Sequence, residues 1–497
     1  MKAMVRCDAS PAIGGGHVTR CLALAEALAE AGWQVDFAGT AGTPDMVPAL
    51  ARSGFPVRVL SGAGDEAADL AALAGGTVDL LVIDHYGREK QFETACRAFA
   101  RRILVLDDGT GRDHDCDVLL DAAAPDAAAY AGHVPAAARI LAGPAYALLR
   151  GAFLECRRDS LARRDGRPVG TILVSFGATD PFNATPLALA ALEGLADDIT
   201  LTVALSSKAP HLEDIRRRLS GRTRLVLDGD MPLLLAEADL AIGAAGASAH
   251  ERAALGLPSI LVIVAENQRG VADTLFQAGA AVDGGGLDGG FPDRLAALAR
   301  RLIAGPEERI RLAEKAAALV DGRGPLRVVL ALDDGTTLPD GSAVRLRLAD
   351  KGDEAWLLAL QRHPATRRYA HNPTPPTAEE HARWLHRTLL DEDRFLFIAE
   401  RDGQEAGMLR LDRCEGGDGS ESYLVSIAID PARHSSGLGT AILAASRRLK
   451  PAAVLEAEIL PGNTASTRLF LKAGFRPVGE GRYRALPART RSAAAPT

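Results

Sequence analysis

Three consecutive glycines, Gly14 to Gly16, are followed at once by His17 in the stretch "IGGGHVTRCLALAEAL". A glycine loop that leads from a strand into a helix lets backbone N–H groups approach an anion, and the helix dipole favours the same charge. His17 adds a side chain that accepts a proton near neutral pH. Because a helix N-terminus favours the neutral imidazole, we predict that His17 is a general base beside a bound anion. The alternative is a tight turn that carries a surface histidine.

A second glycine-rich stretch, "IGAAGASAHERAALGLPS", follows another predicted strand. It predicts a nucleotide half-site in which a helix N-terminus holds a diphosphate and Glu251 binds ribose hydroxyls. The alternative is a plain capping box, with Ser248 as the N-cap and Glu251 three residues later. The stretch "AENQ" at 265–268 follows the next strand, where α/β sheets place their ligands.

The remaining candidates for chemistry are interpreted as structural. The acidic stretch "DDGTGRDHDCD" at 107–117 is typical of a solvated loop more than of a metal site. His85 is expected to be a hydrogen-bonded structural histidine, whereas His211 and His250 are expected at the surface. No Asp/His cluster has metal-ligand spacing and the six cysteines contain no CxxC pair, so no metal is predicted.

The elements around these loops alternate between strands and helices. "VDLLVID" and "RILVLDD" are almost continuous apolar runs that end in acids, as buried parallel strands do. Alternation of this kind predicts parallel sheets with helices on both faces. We therefore expect an α/β protein with two doubly wound, Rossmann-like domains, the first at 1–155 with the catalytic loop and the second at 156–331. A turn-rich linker follows at 332–343.

The region 344–487 has a different pattern, with antiparallel-type strands and accompanying helices, which predicts a separate α+β domain. Its stretch "SIAIDPARHSSGLGTAILAA" combines a strand, a loop with Gly437 and Gly439, and a helix. This arrangement is again suited to a pyrophosphate. The last residues, 488–497, are expected to be disordered.

Composition narrows the expected partners. The chain has 57 Lys and Arg against 64 Asp and Glu, a net charge of −7, so nucleic acid is not an expected partner. No apolar run is long enough to span a bilayer, and the start of the sequence lacks the apolar core of a signal peptide. The scattered cysteines fit a reducing compartment. We expect a cytoplasmic protein with neither nucleic acid nor membrane as a partner.

The motifs of residues 1–330 resemble those of one family, in the same order. The matching stretches include "RCDASPAIGGGHVTRCLALAEAL", "VIDHYG", "GPAYALLR", "VSFGATDP", "IGAAGASAHERAALGLPSI" and "AENQ". They resemble the UDP-sugar hydrolases of pseudaminic acid biosynthesis, which remove UDP from UDP-2,4-diacetamido-2,4,6-trideoxy-β-L-altropyranose and have a GT-B-like architecture. The resemblance implies that His17 is the catalytic base. It also implies UDP-sugar contacts from Gly14, Tyr86, Arg150, Glu251, Asn267 and Gln268.

Residues 344–487 resemble the GNAT acetyltransferases, in which a strand and a glycine loop bind the pyrophosphate of acetyl-CoA. The resemblance implies acetyl-CoA contacts from Ile429, His434, Gly437, Leu438, Gly439, Thr440 and Asn463. Two positions depart from the family pattern. His434 stands where Gln or Arg is usual, and Phe470 stands where a tyrosine often protonates the leaving thiolate. Tyr483 is the expected substitute for that acid, and the alternatives are Tyr423 or departure of the thiolate without a general acid. Three further histidines, His371, His381 and His386, are weak candidates for a base and are expected at the surface.

Together these resemblances imply a bifunctional enzyme of pseudaminic acid biosynthesis. Its GNAT domain would use acetyl-CoA to acetylate the 4-amino group of a UDP-aminosugar. Its N-terminal module would then hydrolyse the diacetamido product to free sugar and UDP. Two alternatives stay open, namely a GT-B-type glycosyltransferase and a nucleotide-sugar-binding sensor with a degenerate acetyltransferase domain. Phe470 is the residue that keeps the second alternative open.

Overall fold

The computed structural model describes residues 1–10, 13–62, 64–109, 111–195, 197–219, 221–415, 419–434 and 436–487. They form two compact units. One unit holds residues 1–26 and 34–325, and the other holds residues 27–33 and the described residues from 326 onward. The predicted disordered tail at 488–497 lies outside the described residues.

The first sheet has seven parallel strands. They are β1 (Lys2–Cys7), β2 (Gln34–Gly39), β3 (Val57–Val59), β4 (Leu80–Asp84), β5 (Ile103–Leu106), β6 (Val118–Asp121) and β7 (Arg139–Ala142). Its helices are α1 (Gly16–Glu30), α2 (Thr43–Met46), α3 (Pro48–Arg52), α4 (Glu66–Ala74) and α5 (Lys90–Cys96), with 3-10 turns at Ala127–Tyr130 and Pro144–Tyr146. The strand order is β3-β2-β1-β4-β5-β6-β7. β1 and β4 are therefore neighbours, and their register sets Cys7 beside Asp84.

The second sheet has six parallel strands. They are β8 (Thr171–Ser175), β9 (Thr200–Leu205), β10 (Thr223–Leu227), β11 (Leu240–Ala244), β12 (Ser259–Ile263) and β13 (Val282–Gly286), in the order β10-β9-β8-β11-β12-β13. The helices are α6 (Gly151–Ala162), α7 (Ala184–Ala191), α8 (Leu212–Arg217), α9 (Met231–Glu237), α10 (Ala247–Ala254), α11 (Arg269–Gln277), α12 (Phe291–Ala304) and α13 (Pro306–Leu319), with a 3-10 turn at Glu266–Gln268. An apolar core forms on each face of this sheet. α6 packs against α9 and α10, so the boundary predicted at 155 falls inside a helix of this layer.

The last sheet is mixed and has eight strands in the order β14-β15-β16-β17-β18-β19-β21-β20, where the labels follow the chain. The strands are β14 (Thr336–Thr337), β15 (Ala343–Leu348), β16 (Arg394–Arg401), β17 (Gln404–Glu415), β18 (Glu421–Ile429), β19 (Val454–Glu458), β20 (Arg476–Gly479) and β21 (Arg482–Ala485). The helices are α14 (Gly324–Leu332), α15 (Glu354–Arg362), α16 (Pro364–Arg367), α17 (Ala378–Leu390), α18 (Leu438–Leu449) and α19 (Thr464–Lys472), with 3-10 turns at Lys351–Asp353 and Pro431–Arg433.

The predicted fold class is confirmed, because two parallel sheets with helices on both faces precede an α+β unit. The strands of the α+β unit were expected to be of the antiparallel type, and this expectation was incomplete. β18 and β19 pair in parallel, whereas the other strand pairs of this sheet are antiparallel. The two-residue strand β14 also pairs with β15, so part of the predicted linker at 332–343 lies in the sheet. Within the described ranges, no helix combines the length and apolar character that crossing a bilayer requires.

Candidate active site

The triglycine loop lies between β1 and α1 and places His17 at the carboxyl ends of the parallel strands of the first sheet. Gly14 has φ of +72°, a conformation that favours glycine, and its N–H donates to the Ser10 carbonyl at 2.8 Å. A Cβ on Gly15 would lie 2.8 Å from Cγ2 of Val47, so this position also requires a small residue. α1 begins directly afterwards, which places His17 in its first turn.

His17 is held by a carboxylate that the sequence analysis did not single out. Its Nδ1 lies 2.5 Å from Oδ1 of Asp84, the last residue of β4, and the His17 side chain is largely buried. Arg20, one turn along α1, donates to both oxygens of the same carboxylate, each at 2.6 Å. Burial would raise the pKa of Asp84, but the charge of Arg20 and the bonds to both partners lower it well below its usual range.

This arrangement fixes the direction in which His17 can act. An ionised Asp84 only accepts hydrogen bonds, so we assign the ring proton to Nδ1 of His17. Nε2 is then the nitrogen that carries a lone pair. A histidine whose Nδ1–H is bound to a buried carboxylate is oriented to accept a proton at Nε2. Asp84 was detectable as one of the acids that end apolar strands, but its pairing with His17 depends on the β1–β4 register.

Tyr86 connects this site to the second sheet. Its ring meets the His17 ring edge-on, with centroids 4.7 Å apart. Its hydroxyl donates to Oδ2 of Asp108 at 2.9 Å and accepts from Nδ2 of Asn267 at 3.1 Å. Burial, followed by the charge of Asp108, raises the pKa of Tyr86 to about 12. Tyr86 therefore keeps its proton at neutral pH. The structure thus brings together three of the predicted residues, one of them from the second sheet.

The second glycine loop leads into α10 differently from the predicted capping box. The helix begins at Ala247 with Gly246 as its N-cap, and no side chain of the described residues caps it. The expectation that Ser248 is the N-cap was wrong, because Gly246 already has the extended conformation of an N-cap and Ser248 lies inside the first turn. The Ser248 hydroxyl instead accepts from Arg252 at 3.2 Å. The Ala249 N–H donates to the Gly246 carbonyl at 2.8 Å, and the N-terminus of this helix is suited to an anion.

Glu251 and Arg150 form the polar part of this half-site. Burial raises the pKa of Glu251 to about 7, against the opposing charges of Arg252 and Arg150. Arg150 lies within electrostatic range of Glu251, and its Nε is a buried donor with no hydrogen-bond partner among the described residues. Gln268 lies beside Gly246, since a Cβ on that glycine would be 3.8 Å from Nε2 of Gln268. Of the predicted contacts, Glu251 therefore lies on α10 and Gln268 lies beside its N-cap.

Expectations were also stated for three other histidines, and the structure contradicts the one for His250. His250 was expected at the surface, but it lies on α10 with only 5% of its surface exposed, because this short helix packs between its neighbours. His211 is half-buried at the start of α8. The structural interpretation of His85 agrees with its contacts. Its Nδ1 accepts from the Gly87 N–H at 2.9 Å, and its Nε2 lies 3.5 Å from Asp8.

The acidic stretch at 107–117 is not a solvated loop, because several of its side chains enter the core. The His114 side chain is fully buried, with Nδ1 2.7 Å from Glu93 and Nε2 3.2 Å from Asp107. Arg112 pairs with the other oxygen of Asp107. Burial lowers the pKa of His114, but the bonds to the two carboxylates outweigh it and raise that pKa to about 9. Among the described residues, no group of three or more His, Cys, Asp or Glu side chains could hold a metal ion.

The α+β unit places its glycine loop at the end of β18. Gly437 is the N-cap of α18 with φ of +85°, and Leu438, Gly439 and Thr440 form the first helical turn. A Cβ on Gly439 would lie 2.9 Å from Ile429, so this glycine allows helix and strand to pack closely. Nε2 of His434 lies 3.3 Å from the Ile429 carbonyl. Six of the seven predicted acetyl-CoA contacts are thus adjacent, at a helix N-terminus suited to an anion.

β18 and β19, the parallel strands next to this loop, are paired over only part of their length. The register joins Ser422–Leu424 to Val454–Glu456, and β18 then continues to Ile429 beyond that pairing. The seventh predicted contact, Asn463, caps α19, and its side chain accepts from the Ser466 N–H at 3.1 Å. An opening between parallel strands exposes backbone groups that a ligand can bond.

The residues considered for proton transfer in this unit differ in exposure. Phe470 is buried and meets Phe475 edge-on at 4.9 Å, so it is a packing residue. Tyr423 is buried and donates to Glu421 at 2.7 Å, whereas Tyr483 on β21 is half-buried.

The three weak candidates for a base are also placed differently. His371 and His386 are exposed, as expected. His381 was expected at the surface but is buried on α17, because its face of the helix packs toward the sheet.

The fold and the two sites define the class of protein: two Rossmann-type domains with parallel sheets, followed by a GNAT domain. Residues 343–476 match the family model described as an acetyltransferase (GNAT) domain. The chain is similar to the spore coat polysaccharide biosynthesis protein SpsG of Bacillus subtilis, with 34% identity over 202 residues, which are 39% of this chain and 58% of SpsG. It is also similar to the UDP-2,4-diacetamido-2,4,6-trideoxy-beta-L-altropyranose hydrolase of Campylobacter jejuni, with 27% identity over 289 residues, which are 57% of this chain and 99% of that hydrolase.

These similarities confirm both resemblances seen in the sequence, one to the UDP-sugar hydrolases and one to the GNAT acetyltransferases. The chain spans less than two thirds of the length of SpsG and nearly all of the hydrolase. Among solved structures, MurG of Acinetobacter baumannii is similar over 67% of this chain and 99% of its own, with 19% identity and a TM-score of 0.48.

Proposed function

We propose that the N-terminal unit hydrolyses a UDP-linked sugar to UDP and the free sugar. The observation that carries this proposal is the 2.5 Å contact between Nδ1 of His17 and the buried carboxylate of Asp84. It orients Nε2 as a proton acceptor at the glycine loop. The similarity to the Campylobacter hydrolase supports UDP-2,4-diacetamido-2,4,6-trideoxy-β-L-altropyranose as the substrate.

The reaction is a substitution at the anomeric carbon. His17 accepts a proton from water, and the water oxygen forms a bond to that carbon. The bond between the carbon and the phosphate oxygen breaks, and UDP leaves with the electron pair. UDP is a good leaving group, so no strong general acid is required. The N-termini of α1 and α10 stabilise the negative charge that develops on the departing diphosphate.

The half-site around α10 supplies recognition in this proposal. The N-terminus of α10 binds the diphosphate, and Arg150 offers the same ligand its Nε, which has no hydrogen-bond partner among the described residues. Glu251 binds the ribose hydroxyls, with Asn267 and Gln268 from the adjacent turn. Tyr86 and Gly14 line the sugar side next to His17.

We further propose that the GNAT domain transfers an acetyl group from acetyl-CoA to the 4-amino group of a UDP-aminosugar. The match of residues 343–476 to the GNAT family model and the glycine N-cap of α18 support this activity. Attack by the amine on the thioester carbonyl forms the amide, and CoA leaves as the thiolate, which then takes up a proton. Acetylation would yield the diacetamido sugar that the N-terminal unit hydrolyses, so the two activities would be consecutive in pseudaminic acid biosynthesis.

The test uses the full chain and two substrates. With the diacetamido UDP-sugar and water, wild type is expected to release UDP, and His17→Ala to be slower by about 10²–10⁴-fold, the usual contribution of a general base. His211→Ala is the matched control, and its rate should equal that of wild type. With acetyl-CoA present, CoA release should depend on the addition of the UDP-4-amino sugar. UDP release from His17→Ala at the wild-type rate would contradict the assignment of the base. A sugar transferred to an added acceptor would favour a glycosyltransferase, and binding without turnover would favour a sensor.

A further inference from the structure

His250 is a buried polar residue to which the proposed mechanism gives no role. Only 5% of its surface is exposed, and its Nε2 atom has no hydrogen-bond partner among the described residues. A buried ring nitrogen without a partner loses its bonds to water and gains nothing in exchange. Such an atom in a folded protein calls for a ligand or another explanation.

The charges around His250 come from both sheets of the N-terminal unit. Arg252 follows it on α10, and Arg20 belongs to α1, where it holds Asp84 beside His17. Burial, and then the charges of these two arginines, lowers the pKa of His250 to about 4. The ring is therefore neutral at physiological pH. A neutral imidazole within range of two guanidinium groups is in a place that favours an anion.

The location of His250 indicates which part of a nucleotide sugar it would meet. The N-terminus of α10 is the place for the diphosphate, and His17 acts at the anomeric carbon. His250 follows the first turn of α10 and lies within electrostatic range of Arg20, the neighbour of His17. Within that diphosphate, the β-phosphate is the group next to the anomeric carbon, and it carries the bond that breaks.

We propose that Nε2 of His250 donates a hydrogen bond to a β-phosphate oxygen of the UDP-linked sugar. This inference rests on the proposed hydrolase function and adds a phosphate-binding residue to it. The negative charge of that phosphate rises as the bond to the anomeric carbon breaks, so the bond from His250 strengthens in the transition state. The contact would also hold the product UDP, in which the same phosphate is terminal.

The test compares three variants of His250 in the full chain. The amide nitrogen of His250→Gln reaches the position of Nε2, whereas that of His250→Asn reaches only the position of Nδ1. We expect His250→Ala and His250→Asn to lose about 10- to 100-fold in kcat, the equivalent of one hydrogen bond to a charged group. His250→Gln should retain most of the activity. Calorimetry should show weaker binding of UDP by His250→Ala and unchanged binding of UMP and uridine, which lack the β-phosphate.

The outcomes separate this inference from the proposed function. Equal losses of affinity for UDP, UMP and uridine would show that His250 only packs α10, and would overturn the inference. Unchanged UDP affinity and kcat in His250→Ala, with wild-type hydrolysis intact, would also overturn it and leave the hydrolase function standing. A wild-type chain that neither binds UDP nor hydrolyses the UDP-sugar would instead refute the proposed function. Retained activity in His250→Gln guards against loss of folding as the explanation.

Discussion

Replacing Asp84 by asparagine tests whether the contact with His17 is the basis of catalysis. The amide keeps the size of the carboxylate but removes its charge. Its NH2 group can donate to Nδ1 of His17, which would move the ring proton to Nε2 and leave no lone pair where a base needs one. In a Ser-His-Asp triad the corresponding change costs about 10⁴-fold in kcat. We expect a loss of about 10²–10⁴-fold in kcat for UDP release, with little change in KM, because Asp84 is behind His17 and does not touch the substrate.

The same change has a cost in stability. The Asp84 side chain is fully buried and receives two hydrogen bonds from Arg20, so its loss leaves a guanidinium with reduced compensation. Removing one partner of a buried ion pair costs about 3–5 kcal/mol in other proteins, and the oxygen that asparagine retains makes the lower end the expectation here. Thermal unfolding followed by circular dichroism measures this loss, and kinetics are taken well below the melting temperature of the variant.

Asp36→Asn is the matched control for Asp84→Asn. Asp36 lies on β2 and pairs at 3.2 Å with Arg58, whose side chain is about half exposed. The Asp36→Asn variant should keep wild-type kinetics, because an exposed ion pair of this kind contributes only about 0–1 kcal/mol to the stability of the fold. If Asp84→Asn is folded at the assay temperature and its kcat is within about threefold of wild type, the orienting role of Asp84 and the assigned tautomer of His17 are both refuted.

Three further outcomes are expected. Tyr483→Phe should slow CoA release more than Tyr423→Phe in a thiol assay, because Tyr423 already donates to Glu421 and burial raises its pKa to about 12. Gly437→Glu should raise the KM for acetyl-CoA well above that of Gly437→Ala, because both strain the positive φ but only glutamate adds a negative charge at the α18 N-terminus. His114→Gln should lower the melting temperature near neutral pH. A histidine whose pKa is raised by folding stabilises the folded state fully at pH values below its ordinary pKa of 6.5, and it loses this effect as the pH rises through its pKa in the folded state. The deficit should therefore shrink as pH rises through about 9.

Each of these three outcomes has a result that would contradict it. A larger effect of Tyr423→Phe would make the buried tyrosine the acid. Equal KM values for the two Gly437 variants would remove charge as the cause. A melting-temperature deficit in His114→Gln that does not depend on pH would show that the imidazole is uncharged in the fold.

Local patterns were sufficient to predict strands such as β4 and β5, the glycine loops and the start of α1. These features depend on residues close together in the sequence, such as Gly14–His17. The partner of His17 could not be predicted in the same way. Asp84 lies 67 residues away and meets His17 only because β1 and β4 are neighbours in the sheet. The sequence shows that a strand ends in an acid, but strand order decides what that acid contacts.

Burial of polar residues was the other feature that the sequence did not reveal. His114 lies in a run of acids that is typical of a solvated loop. It is nevertheless buried, because it pairs with Glu93, 21 residues earlier in the chain. His250 follows small residues on a short helix, a pattern equally compatible with either face. In both cases the neighbours that decide exposure come from distant segments, so a local pattern gives the wrong expectation.

If Tyr86 lines the sugar site as we propose, the hydrogen bonds that its hydroxyl already makes determine how much it adds to substrate affinity. Because that hydroxyl already donates to Asp108 and accepts from Asn267, a sugar group that bonds to it must displace one of these two partners. Recognition there is an exchange of one hydrogen bond for another, and its net free energy is the small difference between them. Tyr86 would then add little to the affinity for a correct sugar. It would discriminate strongly against a sugar that displaces a partner and offers no polar group in return, because that loss is not repaid.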